Sequence, residues 1–174
     1  MEGLGEILLT AEEISQRVKE LGEAITRDYQ GLELRLVAIL KGATVFLADL
    51  MRAISLPLTL DFMAISSYGG GTSSSGVVKI LKDLDEGIEG THILVVEDIV
   101  DTGLTLSYLL RTLSVKNPAS LKTCILLDRP ARRIVDLSIA YKGFEIPDRF
   151  VIGYGLDYRE RYRNLPFICT IEPQ

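Results

Sequence analysis

The sequence predicts an α/β domain with a mainly parallel central sheet, and three observations carry that prediction. Apolar runs of strand length, such as "LRLVAIL" (34–40) and "HILVVEDI" (92–99), are nearly continuous, as expected of strands covered on both faces. Between them lie segments whose apolar residues recur at i, i+3, i+4 and i+7, the spacing of an amphipathic helix. Strand and helix patterns alternate along 174 residues with no internal repeat or linker, which suits one domain over 1–174.

Taken in order, Thr10-x-x-Glu13 has the form of a capping box, and Ile14, Val18, Leu21 and Ile25 keep one apolar face, so a helix is expected over 11–28. Residues 34–40 form the first strand. Lys41-Gly42 interrupts it, and "ATVFLADLMRAI" reads as a helix. "LTLDFMAI" (58–65) is the next strand. "SSYGGGTSSSG" (66–76) follows, a Gly/Ser-rich stretch with little to bury. It fits a surface loop, the tip of a hairpin leading to "VVKIL", or a lid that orders over a ligand. Residues 92–99 make the third strong strand. Leu106, Leu109, Leu110 and Leu113 then trace a helix that Asn117-Pro118 ends. "LKTCILL" (121–127), "FVIGYGL" (150–156) and "FICTI" (167–171) complete the expected strands.

Bulk composition removes several function classes. Hydrophobic residues make up 47% and charged residues 25%, ordinary proportions for a globular chain that buries roughly 70% of its extended surface. The net charge of −5 offers no global basic field to a nucleic acid or an anionic membrane. No apolar run approaches the ~18 residues of a membrane span. Cys124 and Cys169 both sit in apolar runs and are expected as buried thiols of a reducing compartment. An acidic N-terminus without a basic leader adds to the expectation of a cytoplasmic protein.

The densest chemistry lies in "VVEDIVDTGLTL" (95–106). A strand ends in the acids Glu97, Asp98 and Asp101, and Thr102-Gly103-x-Thr105 then opens a helix. Backbone N–H groups at a helix start have no partner within the helix and attract an anion. The two threonine hydroxyls add donors. Neighbouring carboxylates repel that anion, so they must meet another part of the ligand. Vicinal sugar hydroxyls fit, and so does a divalent metal bridging anionic groups. A sugar phosphate satisfies both halves of the stretch. There is no G-x-G-x-x-G after a strand and no G-x-x-x-x-G-K-[ST], so dinucleotide and P-loop sites lose support.

These residues resemble the phosphoribosyl-pyrophosphate (PRPP) signature of the type I phosphoribosyltransferases. "ILKGA" (39–43), "SSYGGGTSSSG" and "GFEIPDRFVIGYGLDYRERYRNLP" (143–166) are similar to the bacterial hypoxanthine-guanine branch, and the likeness runs from about residue 8 to 172. The resemblance implies the type I fold, with a mobile loop about 66–76 containing Ser67 and Tyr68. It also implies a small hood formed by the N-terminal segment and about 143–174. The implied activity is transfer of the 5-phosphoribosyl group from PRPP to a 6-oxopurine with magnesium, in a self-associating enzyme with no nucleic-acid or membrane partner.

Residue by residue, the resemblance implies that Glu97 and Asp98 hold the ribose hydroxyls, directly or through metal, and that Asp101, Thr102, Gly103, Leu104 and Thr105 hold the 5′-phosphate. Asp101 would also be the general base facing purine N7. Lys41 and Gly42, at a cis peptide preceding the glycine, would bind diphosphate together with Arg163. Ile99, Phe150, Val151 and Asp157 would hold the purine, and Asp157 would also be a second metal ligand beside Glu97 and Asp98. Arg129 occupies the place of the family's usual lysine, which donates to the purine 6-oxo group. That leaves the ranking of hypoxanthine, guanine and xanthine open. Arg132 and Arg133 are expected to be solvated or at a subunit contact, and His92 has no role. Two rivals remain: an RNA-binding regulator on the same fold, and a transferase for another base such as adenine or orotate.

Overall fold

The computed structural model describes residues 4–67 and 78–172. In chain order the elements are β1 (Leu4–Leu9), α1 (Ala11–Asp28), β2 (Leu34–Leu40), α2 (Thr44–Ala53), β3 (Leu58–Ser67), β4 (Val78–Lys82), β5 (His92–Val100), α3 (Leu104–Ser114), β6 (Ser120–Asp128), β7 (Tyr141–Glu145), β8 (Val151–Ile152) and β9 (Ile168–Ile171).

A six-stranded sheet in the order β4-β3-β2-β5-β6-β7 forms the body, and every pairing but β3 with β4 is parallel. Its strands are covered on both faces, which accounts for their unbroken apolar runs. In β2, Leu36 and Ala38 point into a core shared with α1 and α2, whereas Val37 and Ile39 point into a second core shared with α3. The helix at 11–28 starts as expected: the Glu13 N–H donates to Thr10 Oγ1 at 3.2 Å, and the Thr10 N–H donates back to Glu13 Oε2 at 2.8 Å. Ile14, Val18, Leu21 and Ile25 are its buried stripe.

A second, antiparallel sheet of order β1-β9-β8 sits apart, with Ile152, Cys169 and Ile171 in its own small core. Neither β1 nor β7 stands out in the sequence. β1 exists by pairing with β9, a partner more than 150 residues away, where Leu4 faces Ile171. β7 belongs to the large sheet through its parallel pairing with β6. The small sheet therefore draws its C-terminal strands from 151–152 and 168–171 rather than from residue 143 onward.

The strand expected over 150–156 stops at Ile152, because Gly153 and Gly155 take φ of +99° and +101° and turn the chain out of the sheet. Of the stretch 66–76, Ser66 and the backbone of Ser67 close β3, and the expectations for Tyr68 and the rest of that loop lie outside the described residues. Cys124 and Cys169 are free and buried, and burial pushes both thiols up.

Candidate active site

Strand order decides where a ligand can sit. β2 leads into α2 on one face of the large sheet and the adjacent β5 leads into α3 on the other, so the crevice at their carboxyl ends is the topological switch point. The helix starts there differ from that of α1. α1 is closed by its capping box and carries Glu12 and Glu13 in its first turn. α2 and α3 have no side-chain cap and no acid in the first turn, so no side chain of their own first turns offsets their positive ends.

The turn between β5 and α3 is tightly held from behind. Gly103 sits at φ +83°, and a Cβ there would come within 2.7 Å of Leu137. The Thr102 carbonyl accepts the N–H groups of Ile134 (2.9 Å) and Val135 (3.3 Å). Arg133 donates from Nε to the Asp101 carbonyl at 3.1 Å, and its Nη2 pairs with the buried Asp128. Asp128 has a second partner in Lys142, at 2.8 Å. With its carbonyls engaged on the outside, the turn leaves the amides of 102–105 to line the crevice, apart from Leu104 N–H, which donates to Thr102 Oγ1 at 3.3 Å. Arg133, with only 18% of its side chain exposed, is thus tied to the turn rather than solvated, which corrects that part of the expectation for it. Arg132 is half-exposed and pairs with Asp148.

Glu97 and Asp98 are half-buried at the end of β5. Burial pushes the Glu97 carboxyl well up, and the neighbouring Asp98 charge adds to the rise. Asp98 is also raised by burial, although the Glu97 side chain and the Ile99 N–H, 2.8 Å from its Oδ1, pull it back. Gly42 is required here: a Cβ on it would fall 1.7 Å from Asp98 Oδ2. That contact brings the Lys41-Gly42 turn onto the acids. The cis bond of this turn joins Leu40 to Lys41, one bond before the glycine's own.

The excursion between β8 and β9 closes over the same turn. Gly155 lies so near that a Cβ would come within 2.2 Å of the Gly42 carbonyl. Arg163 donates from Nη1 to the Gly155 carbonyl at 2.8 Å, while its Nη2 lies 2.8 Å from Asp157 Oδ1 and 3.4 Å from Glu160 Oε1. Lys41 Nζ reaches Glu160 Oε2 at 3.0 Å. Asp157 Oδ2 accepts the Glu160 N–H at 2.8 Å, so both of its oxygens are engaged.

On the other side of the turn stands Arg129, 4% exposed. Its Nη2 donates to the Arg149 carbonyl at 2.7 Å, and its Nη1 approaches Asp101 Oδ1 at 3.0 Å. The approach is a charge contact without hydrogen-bond alignment, since Asp101 Oδ1 and Arg129 Nε are both buried and lack a hydrogen-bond partner. The Asp101 side chain is nonetheless 40% exposed toward the crevice. Phe150 is no core residue: it is exposed and edge-on to Tyr158, with ring centroids 5.8 Å apart. Val151 is buried in β8, the outer strand of the small sheet, and Ile99 packs at the margin of the main core. The geometry therefore gathers Lys41, Gly42, Asp157 and Arg163 at one end, Glu97, Asp98 and 101–105 in the middle, and Arg129 beyond them.

A family model for the phosphoribosyl transferase domain matches residues 5–159. This class fits a helix start without a side-chain cap and a neighbouring acid pair set together at a switch point. A hypoxanthine-guanine phosphoribosyltransferase of Mycobacterium avium is 55% identical over 174 residues, spanning 97% of this chain and 86% of that protein. One from Bacillus subtilis is 51% identical over 167 residues, 96% of this chain and 93% of that one. The crystal structure of a hypoxanthine phosphoribosyltransferase from Staphylococcus aureus matches with a TM-score of 0.94 at 50% identity, covering 98% of this chain and 93% of that one. The chain belongs to the phosphoribosyltransferase family, in its hypoxanthine-guanine branch.

Proposed function

We propose that this purine-salvage enzyme joins the 5-phosphoribosyl group of PRPP to N9 of hypoxanthine or guanine, with the residues of the crevice in the following roles. One observation carries the proposal: Asp98 abuts Gly42 on one side of the β5–α3 turn, and Asp101 meets Arg129 on the other. Cations, acids, phosphate turn and base-side arginine thus follow the order of diphosphate, ribose with its 5′-phosphate, and purine.

The amides of 102, 103 and 105 and the hydroxyls of Thr102 and Thr105 hold the 5′-phosphate, and the Leu104 amide joins them if its bond to Thr102 Oγ1 opens. Glu97 and Asp98 accept the ribose hydroxyls. The purine lies against the exposed ring of Phe150, between it and Ile99, with its edge read by the backbone of Val151. The Arg129 guanidinium faces its 6-oxo group, with Nε still free to donate. As N9 bonds to ribose C1′, the C1′–O bond to diphosphate breaks and the N7 proton passes to the Asp101 carboxylate. Lys41, the Gly42 amide and Arg163 hold the departing diphosphate by charge and position.

Magnesium fits the same acids. Glu97 and Asp98 are crowded carboxylates whose charge burial disfavours, and a cation would relieve it. Among the described residues no group of three or more acid, His or Cys side chains could hold an ion alone, so substrate oxygens would complete the shell, as is common for this metal. Asp157 would hold a second ion while keeping its bond to Arg163. Bound metal would neutralise charge on the diphosphate.

Incubating the protein with PRPP, magnesium and each free base in turn tests the reaction. Inosine and guanosine monophosphates with equimolar diphosphate are expected. Product from adenine or orotate alone overturns the substrate class, and salt-dependent RNA binding with no base-dependent product points to the regulator instead. Self-association goes with this function and is supported by exposed Leu60 and Leu81 on the paired strands β3 and β4. A monomer at every concentration in sedimentation would remove it.

A further inference from the structure

The two side chains that would hold diphosphate are joined to one carboxylate. Glu160 places Oε2 3.0 Å from Lys41 Nζ and Oε1 3.4 Å from Arg163 Nη2. Its position is set by the backbone rather than by packing. Glu160 lies at φ +62° between Arg159 at +53° and Tyr162 at +76°, a conformation that side chains with a Cβ disfavour. The Asp157 carboxylate secures it by accepting the Glu160 N–H, and Tyr158 bridges to Arg161 across the same turn. The side chains of Lys41 and Glu160 are each about two-thirds exposed, so the carboxylate can swing away without moving the fold.

We infer that Glu160 is a built-in stand-in for the diphosphate, bridging Lys41 and Arg163 in the resting enzyme until the ligand displaces it. The inference rests on the diphosphate role proposed above for those two cations. A diphosphate and the Glu160 carboxylate repel each other at the same two cations, so the more highly charged ligand replaces the carboxylate. An exposed pair is weak, which suits a contact that has to break in every turnover. While it is made, the cations stay apart and oriented, and the fraction of molecules with the bridge closed lowers the apparent affinity for anything carrying a diphosphate. Asp157 does not share this role, because its bond to Arg163 comes from a carboxylate already fixed by the Glu160 N–H.

The test compares two ligands by calorimetric titration: PRPP with magnesium, which fills the diphosphate end, and inosine monophosphate, which does not. The variants are Glu160→Gln, of nearly unchanged size, and Glu86→Gln, which removes an equal charge at the far end of β2, where Glu86 pairs with Arg35. Glu160→Gln is expected to bind PRPP about three- to tenfold more tightly, the worth of an exposed pair or two, and to bind inosine monophosphate like the unaltered protein. Tighter binding is an effect that mere loss of structure would not produce. PRPP affinity that is unchanged or weaker overturns the inference, as does equal tightening in Glu86→Gln or toward both ligands. If the unaltered protein binds inosine monophosphate but not PRPP, the diphosphate end itself is misassigned and the inference falls with it.

Discussion

The turn between β5 and α3 and the excursion between β8 and β9 face each other across one crevice, yet they are held in opposite ways. In the first, backbone carbonyls are tied down by the amides of Ile134 and Val135 and by Arg133, whose other end is locked on the buried Asp128. In the second, left-handed residues are held by the Asp157 side chain and by ion pairs, of which Lys41 with Glu160 is largely exposed. The difference teaches how such a site divides its work. The half proposed to bind ribose 5-phosphate is formed in advance, so ordering it costs little at binding. The half proposed to release diphosphate is built from contacts weak enough to exchange.

The largest expected effect is at the preformed turn. Asp101→Asn keeps the shape of the side chain but cannot accept the N7 proton, and turnover should fall roughly 10²-fold or more. PRPP affinity should be retained. Steady-state rates beside a PRPP titration check this, and near-normal turnover would take Asp101 out of the role of base.

Next comes the contrast itself. Arg133→Met leaves Asp128 buried with Lys142 as its remaining charged partner and frees the Asp101 carbonyl. It should cost about 1–3 kcal/mol of stability in denaturant unfolding and weaken inosine monophosphate binding. Lys41→Met, in the exchangeable half, should change stability by less than about 0.5 kcal/mol. Equal losses from the two substitutions would abolish the distinction drawn between the halves.

The smallest effect is a pH dependence. Because burial and Asp98 raise the Glu97 carboxyl above its ordinary 4.5, the folded protein holds that proton more tightly than the unfolded chain. Stability without metal should therefore decline as pH rises from that ordinary value to the raised one, and stay lower beyond it. Glu97→Gln should flatten the decline and raise the midpoint of thermal unfolding at neutral pH by about 2–4 °C, the equivalent of roughly 1 kcal/mol in a domain of this size. A variant that unfolds with the same pH profile as the parent would show that the Glu97 charge is not under strain.

Membership in the family was legible from short motifs, because their chemistry is local. A strand, an acid pair and a Thr/Gly turn opening a helix need only neighbours in the chain. The same locality made α1, β2 and β5 readable to within a residue or so, since capping and apolar periodicity act over a few positions. Arg133 was misjudged for the opposite reason. Within "RPARR" three arginines look alike, and only the fold decides that one reaches Asp128 and the Asp101 carbonyl while another meets solvent. Glu160, in the same stretch as Asp157 and Arg163, drew no role from the sequence, because only the fold brings it to Lys41.

From the residues alone came the class of the protein, its alternating elements and the position of the acid-rich Thr/Gly turn, all consequences of interactions along the chain. Tertiary structure alone decided the strand order that makes a switch point, the pairing of β1 with β9, the seating of Gly42 on Asp98, and which charges meet. Those depend on groups distant in sequence whose approach is set by the summed packing of both cores, and no short stretch of the chain carries that sum.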